Sequence, residues 1–155
     1  MAWLKDPEGP GHPKMGITYR ILRKFNRSLM STWFRELDIV DNENMPHDGG
    51  IMFVAWHPSG LIDPILLHAS LPGKLSILAK HTLFDMPILG RLFSAAGALP
   101  IYRAGDSDDA EKAKRNNAIM LENVGNEISN GGRLLLFPEE LGLEFAIPLT
   151  FIAII

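Results

Sequence analysis

The sequence predicts an α/β fold, a mainly parallel sheet with flanking helices, and two observations lead to it. Short apolar runs alternate with longer polar or amphipathic segments between residues 50 and 137. This alternation is typical of βαβ units, which form parallel sheets covered by helices. The composition, 46% hydrophobic and 21% charged over 155 residues, is that of one domain able to bury a sizeable core.

Four apolar runs are interpreted as strands, because each is short and is bounded by turn residues or by polar residues. They are GIMFVAW (50–56), KLSILA (74–79), ALPIY (98–102) and RLLLF (133–137), and Pro138 stops the last of them. In an open parallel sheet, ligands bind just beyond the carboxyl ends of the strands. We therefore expect a binding or catalytic site among the residues that follow these four runs.

The segments between the strands predict three helices. They cover residues 63–70, 87–96 and 107–130. The third carries Asp108, Asp109 and Glu111 in its first turn, where the helix dipole favours negative charge. Gly97 ends the second helix and Gly131 the third, as glycine commonly does.

A further helix is predicted before the sheet, from Ile17 to Leu37. Its apolar residues fall on one arc and its basic residues on the other. The apolar arc holds Ile17, Ile21, Leu22, Phe25, Leu29 and Trp33, and the basic arc holds Arg20, Arg23, Lys24 and Arg27. Two interpretations stay open: a helix packed on the sheet through its apolar arc, or a basic amphipathic helix lying on an anionic membrane surface.

Charge and composition exclude several classes of protein. A net charge of −3 offers no field to attract phosphate backbones, so no nucleic-acid partner is expected. The absence of cysteine excludes disulfides, thiolate zinc sites and cysteine nucleophiles. No apolar stretch reaches the roughly 20 residues that span a bilayer. We expect a protein in the cytoplasm or on a membrane that it does not cross, with residues 1–16 as a flexible arm.

Three ionisable residues lie just beyond the ends of predicted strands: His57, Arg103 and Glu139. Since parallel strands end at one edge of the sheet, we expect these residues at a common site. Five residues, among them Gly60, separate His57 from Asp63, a gap short enough for the carboxylate to meet the imidazole. A neutral imidazole oriented by a carboxylate can take the proton of an attacking alcohol, so the pair is a candidate general base.

Each of these residues also has a structural interpretation. His57 would be an ordinary turn residue, Asp63 the N-cap of the following helix, Arg103 a surface charge and Glu139 a loop carboxylate. Ser59 does not lie in a G-x-S-x-G elbow, so no serine nucleophile is indicated.

Three blocks of the sequence, taken in order, resemble the glycerolipid acyltransferases, the family of glycerol-3-phosphate and lysophosphatidic acid acyltransferases. HPSGLIDP (57–64) resembles the family's first block, in a longer form with five residues between His and Asp. LAKHTLFDMPILGRLFSAAGALPIYR (78–103) resembles the segment around the second block. Lys80, Gly97 and Arg103 match that block.

LLLFPEE (134–140) resembles the third block, Phe-Pro-Glu-Gly, except that Glu140 stands where the family has glycine. Phe137, Pro138 and Glu139 match it. The resemblance covers roughly residues 20 to 140.

The resemblance implies transfer of a fatty acyl group from acyl-CoA or acyl-carrier protein to a hydroxyl of a glycerol-phosphate or lysophospholipid acceptor, in phospholipid biosynthesis. His57 would then be the base and Asp63 would orient it. The substrate-binding residues implied are Arg103, Glu139, Lys80, Phe137 and Pro138. Arg103 would bind the acceptor's phosphate, which suits a guanidinium fork. Neither a cofactor nor a metal is implied, and the spacing of the His and Asp residues does not indicate a metal site.

The resemblance also sets expectations for organisation and location. Residues 17–155 would form the acyltransferase domain, with an incomplete C-terminal part, bound peripherally to the cytoplasmic face of a membrane through residues 17–37. Two alternatives remain. The protein would be a non-catalytic lipid-binding or interaction protein that keeps the fold, which Glu140 favours, or an α/β hydrolase that uses His57 on water.

Overall fold

A computed structural model describes residues 3–6, 13–40, 42–46, 48–56, 58–102, 110–138 and 152–154. Within these residues it contains four α-helices and five strands. They are α1 (Ile17–Trp33), β1 (Ile51–Val54), α2 (Ile62–Ser70), β2 (Leu75–Lys80), α3 (Leu89–Ala95), β3 (Ala98–Ile101), α4 (Ala110–Ser129), β4 (Arg133–Leu136) and β5 (Ile152–Ile154). Two short 3₁₀ helices cover Asn42–Asn44 and His81–Leu83.

The five strands form one sheet in the order β3-β2-β4-β1-β5. The first four are parallel, and β5 lies antiparallel to β1 at the edge. Arg133 of β4 is in register with Ile51 of β1 on one side and with Leu75 of β2 on the other. The predicted α/β fold is therefore confirmed, with the four predicted strands in place. The strand β5 and the two 3₁₀ helices were not predicted, and the first helix ends at Trp33, before the predicted end at Leu37.

The sheet has a separate apolar core on each face. On one face Ile51, Phe53, Ile77 and Leu135 pack with α2 and the segment around α3. On the other face the cluster includes Leu78 of β2 together with residues of α4. Adjacent residues of a strand thus enter opposite cores. The central strands are therefore continuous apolar runs in the sequence and do not alternate between apolar and polar residues.

Helix α1 packs on α2 through a face that carries polar side chains. The buried residues of α1 are Tyr19, Arg23, Asn26 and Met30, which recur at helical spacing and share one side. The hydroxyl of Tyr19 accepts a hydrogen bond from the main-chain N–H of Leu75 at 2.9 Å. The buried face of α1 therefore joins the helix to the rest of the fold by hydrogen bonds as well as by packing.

Arginine side chains cap the carboxyl end of α2 and the loop that follows it. Arg23 donates to the carbonyls of Leu71 and Gly73, the latter at 2.7 Å. Arg27 donates to Ala69 O at 2.9 Å, and Arg133 donates to Pro72 O at 2.8 Å. Carbonyls at a helix end have no partner within the helix and attract cations.

The loop also depends on a glycine. Gly73 has a φ of 79°, and a Cβ at this position would lie 3.0 Å from Cδ of Arg133. A glycine is therefore required both for the left-handed backbone and for the close approach of the arginine side chain.

The apolar arc of α1 faces outward. Its residues are exposed by 78% at Ile17, 63% at Ile21, 61% at Phe25, 36% at Leu29 and 66% at Trp33. The interpretation of α1 as a helix packed on the sheet through its apolar arc is therefore wrong. So is the placing of Arg23 on an exposed basic arc, because Arg23 is 3% exposed and is held by main-chain carbonyls.

Described residues of the predicted N-terminal arm contact the same region. Asp6 forms an ion pair with Arg23 at 2.8 Å and accepts a hydrogen bond from Gly73 N at 2.8 Å. Arg27 lies over the Trp3 ring, 5.5 Å from its centroid. Asp6 thus places a carboxylate among the arginines at the end of α2.

His68 is buried between α1 and α2. It is 2% exposed, its Nδ1 lies 3.1 Å from the amide nitrogen of Asn26, and its ring is tilted against Tyr19 at 4.8 Å between centroids. Burial, with smaller contributions from Arg23 and Arg27, lowers the pKa of His68 to about 4. The last turn of a helix favours a protonated histidine, but here desolvation outweighs that effect.

We predict that His68 makes the protein less stable as the pH falls from 6.5 to 4. Between pH 6.5 and pH 4 the ring stays neutral in the folded state but becomes protonated in the unfolded state. The free energy of unfolding therefore falls by about 3 kcal/mol across this range. Urea unfolding of the protein and of His68→Leu, at several pH values from 7 to 4, measures the difference. The variant should show a shallower decline, and parallel declines would contradict the prediction.

Candidate functional site

The predicted site residues follow the carboxyl ends of the parallel strands. Strands β1, β3 and β4 end at Val54, Ile101 and Leu136, on the same edge of the sheet. His57, Arg103 and Glu139 come two or three residues later in the chain. All three, and Glu140, lie outside the described residues.

The described site residues lie at this edge or just below it. Lys80 is the last residue of β2, half-buried, and is in register with Ile101. Pro138 is half-buried, two residues beyond β4. Phe137 is 1% exposed and belongs to the core between the sheet and α2.

Asp63 closes the turn that follows His57. Its Oδ2 accepts a hydrogen bond from the main-chain N–H of Ser59 at 2.8 Å. Gly60, inside the turn, has a φ of 59°, a conformation that glycine adopts most readily. Helix α2 begins at Ile62 without a side-chain cap, so Asp63 lies in its first turn and is not its N-cap.

An apolar cavity of about 190 Å³ extends from this turn into the fold between α2, α3 and the sheet. Its lining starts at Gly60 and Leu61 and continues along α2 to His68. From Leu61 to His68 the chain advances by seven steps, about 10 Å along the helix axis at a rise of 1.5 Å per residue. Phe137 also lines it, so a residue of the third block and the turn of the first block border the same space.

The lining of the cavity carries polar side chains at two positions, Asn26 and His68. The sequence does not single out Asn26, and His68 is one of the histidines whose spacing does not indicate a metal site. The signal that could have found them was the helical spacing of Tyr19, Arg23 and Asn26, a polar stripe opposite the apolar arc.

The backbone before Arg103 is held by α4. The side chain of Asn117 accepts a hydrogen bond from Tyr102 N at 2.9 Å and donates one to Tyr102 O at 2.6 Å. The Tyr102 ring stacks on His81, with centroids 4.4 Å apart. The residues next to Arg103 and Lys80 in the chain are therefore joined to each other. Nothing in the sequence pointed to Asn117.

Two kinds of feature are absent from the described part of the chain. It contains no group of three or more His, Cys, Asp or Glu side chains that could hold a metal ion. None of its helices is both long enough and apolar enough to cross a membrane.

Comparison with known proteins identifies the family. The family model named Acyltransferase matches residues 36–140. A 1-acyl-sn-glycerol-3-phosphate acyltransferase from the chloroplast of Brassica napus is 27% identical over 137 residues, which are 83% of this chain and 37% of that protein. Uncharacterized proteins of Mycobacterium tuberculosis and Mycobacterium bovis are 32% identical over 84 residues, 50% of this chain and 23% of theirs.

The chain thus spans less than two fifths of the length of these relatives. No solved structure matches it significantly. The matched region contains all three blocks, from the turn of HPSGLIDP to LLLFPEE. These matches confirm the resemblance to the glycerolipid acyltransferases, and the chain belongs to the acyltransferase family.

Proposed function

We propose that this protein transfers a fatty acyl group from a thioester, acyl-CoA or acyl-carrier protein, to a hydroxyl of a glycerol-phosphate or lysophospholipid acceptor. The observation that carries the proposal is the apolar cavity that begins at the turn closed by Asp63, directly after His57. A thioester carbonyl at the turn would have its hydrocarbon chain inside the cavity. A cavity lined mostly by apolar side chains suits such a chain.

In this mechanism His57 takes the proton of the acceptor hydroxyl as its oxygen attacks the thioester carbonyl carbon. The C–S bond then breaks, and the imidazolium returns the proton to the leaving thiolate. Asp63 orients the imidazole and stabilises its charged form. Ser59 N–H holds Oδ2 of Asp63, which leaves Oδ1 for the ring. An ester and a free thiol are the products.

Arg103 would bind the phosphate of the acceptor through paired hydrogen bonds. The bonds between Asn117 and the main chain of Tyr102 support this role, because they fix the backbone one residue before Arg103. Lys80, at the end of the neighbouring strand, would add positive charge, and Glu139 would accept hydrogen bonds from acceptor hydroxyls.

Two alternative functions predict different results when the consumption of acyl-CoA is measured with and without an acceptor. A non-catalytic lipid-binding or interaction protein consumes no acyl-CoA, whereas an α/β hydrolase consumes it equally with and without acceptor. An acyltransferase consumes it only when the acceptor is present, and it forms an ester that mass spectrometry detects in a mixed acceptor pool.

We further propose that α1 binds the surface of an anionic membrane peripherally, on its cytoplasmic face. The exposed residues Ile17, Ile21, Phe25 and Trp33 form an apolar stripe along the helix. Arg20 and Lys24 are exposed on the same helix. An apolar face flanked by basic residues is typical of helices that lie in the interface of a bilayer. A lipid acceptor would then be within reach of the enzyme.

We predict that His57→Ala and Asp63→Asn each reduce acyl transfer by about 10²- to 10⁴-fold, since each removes or misorients the general base. The amide introduced by Asp63→Asn keeps an oxygen for Ser59 N–H, so the turn should survive. Initial rates with acyl-CoA and acceptor are measured together with circular dichroism. Asp38→Asn, at an exposed carboxylate, serves as control. Transfer within a few-fold of wild type in both variants would disprove the assignment.

Arg103→Ala should raise the apparent KM for a phosphorylated acceptor by roughly 10- to 100-fold, because a hydrogen bond to a charged group contributes about 1.5 to 3 kcal/mol. The KM for the acyl donor should stay nearly constant. Arg91→Ala, on the exposed side of α3, is the matched control. Equal changes for donor and acceptor would rule out a role specific to the acceptor.

Ile21→Ser, Phe25→Ser and Trp33→Ser, combined, should abolish flotation with anionic liposomes without changing the circular dichroism, because all three side chains are exposed. Arg20→Gln with Lys24→Gln should weaken binding about 30-fold, at about 1 kcal/mol for each charge, and added salt should do the same.

The control for the apolar stripe is Val40→Ser with Leu121→Ser, which removes exposed apolar side chains elsewhere. Flotation that persists in the triple variant would disprove the proposal. A dimer of the wild type that the triple variant abolishes, without liposome binding, would assign the stripe to a second copy of the chain instead.

A further inference from the structure

A side chain of α4 takes the place of a missing neighbour at the outer edge of the sheet. Strand β3 has β2 on one side, and within the described residues no strand covers its other side. Just beyond the end of β3, Oδ1 of Asn117 accepts a hydrogen bond from Tyr102 N at 2.9 Å, and Nδ2 donates one to Tyr102 O at 2.6 Å. The carboxamide thus offers Tyr102 one acceptor and one donor, as the main chain of an adjacent strand would.

The two partners fix the orientation of the carboxamide. A main-chain N–H only donates and a carbonyl only accepts, so Oδ1 and Nδ2 of Asn117 cannot exchange places without the loss of both bonds. The carbonyl of Tyr102 belongs to the peptide group that joins it to Arg103 in the chain. The bond from Nδ2 therefore fixes the direction in which the main chain leaves β3.

The ring of Tyr102 extends this contact to the neighbouring strand. It stacks on His81, with the centroids 4.4 Å apart and an angle of 20° between the planes. His81 directly follows Lys80, the last residue of β2, which is in register with Ile101 of β3. The stacked rings thus join the ends of β2 and β3, and Asn117 holds the residue that carries one of these rings.

Two basic residues flank the stacked rings in the chain. Lys80 precedes His81, and Arg103 follows Tyr102. Both belong to the residues that would bind the phosphate of the acceptor. Long basic side chains lose conformational freedom when they bind a ligand, and a backbone that is already fixed reduces this cost. The contacts of Asn117 supply such a fixed backbone.

We propose that Asn117 is a positioning residue for recognition of the acceptor phosphate. It acts through Tyr102, whose main chain it holds and whose ring stacks on His81. Lys80 and Arg103 would thereby meet the phosphate as one pair. The inference rests on the proposed function for the roles of these two basic residues, although binding of a phosphorylated ligand does not itself require acyl transfer.

The test compares ligands with and without a phosphate. The probes are sn-glycerol 3-phosphate and lysophosphatidate, with monoacylglycerol of the same chain as the neutral counterpart. Asn117→Leu, a side chain of similar size without hydrogen-bonding groups, should weaken binding of the phosphorylated probes about tenfold in titration calorimetry and leave monoacylglycerol nearly unchanged. The KM for the phosphorylated acceptor should rise by the same factor with kcat nearly constant, because the phosphate does not react.

Two measurements separate positioning from a purely structural role. Asn123→Leu makes the same substitution at an exposed position of α4 and should affect none of the probes. Hydrogen exchange at the Tyr102 amide reports on the bond itself and should become faster in Asn117→Leu only. Faster exchange with an unchanged preference for phosphate would overturn the proposal.

A second variant covers the case in which Asn117→Leu fails to fold. Tyr102→Leu removes the ring stack and keeps the main-chain bonds. Since Tyr102 would act in part through Lys80, the losses in affinity for phosphorylated probes caused by Tyr102→Leu and by Lys80→Met should not be additive in the double variant. Additive losses, or no loss in Tyr102→Leu, would contradict the positioning role.

The binding and transfer assays separate the two proposals. Binding of a phosphorylated probe that Asn117→Leu weakens, without any acyl transfer, supports the positioning role and counts against the proposed function. Acyl transfer with an unchanged preference for phosphate in Asn117→Leu supports the proposed function and overturns the positioning role. A wild-type protein that binds neither phosphorylated probe more tightly than monoacylglycerol overturns it as well.

Discussion

The arrangement of the helices depends on how the carbonyls at the carboxyl end of α2 find hydrogen-bond donors. This end is buried, so water cannot serve all of the groups that the helix leaves unpaired. Arg23 and Arg27 come from α1, and Arg133 comes from the start of β4. Because these donors belong to two different elements, the same set of bonds attaches α1 to α2 and holds the loop before β2 against the sheet. A cation near a helix carboxyl end also interacts favourably with the helix dipole.

This arrangement determines which face of α1 points outward. The arginines and Asn26 can reach α2 only if the polar stripe of α1 is buried, and the apolar arc must then face away from the fold. The same orientation brings Asn26 to His68 in the lining of the cavity. A single packing choice therefore produces two features, an exposed apolar stripe and a polar pair in an otherwise apolar wall. The membrane proposal and the acyl-chain proposal are linked through α1 for this reason.

The sequence predicted the parts of the fold that depend on local patterns. The strands were found because runs such as KLSILA are short, apolar and bounded by turn residues, and the site followed from what comes after them. The orientation of α1 was not predictable in this way, because burial of Arg23 depends on carbonyls of residues about 50 positions later. The contact between Asn26 and His68 has the same origin, with 42 positions between the partners. The hydrogen bond from Asp63 to its own turn was not predicted for a more local reason. An aspartate before a proline indicates a helix N-cap, but α2 begins at Ile62, one residue before Asp63.

Helix α2 connects the chemistry to the rest of the molecule. Its first turn carries Asp63, which closes the turn after His57, and its last turn carries His68 and ends at the arginines. A helix of nine residues is short and stiff, so the position of its anchored end also sets the position of Asp63. The polar contacts at the far end of α2 thus hold the wall of the cavity and the Asp63 carboxylate as one unit, and this unit would position the orienting group of the proposed mechanism without touching the substrate. Catalytic groups require placement of this kind, since an error of about 1 Å can cost on the order of 10²-fold in rate.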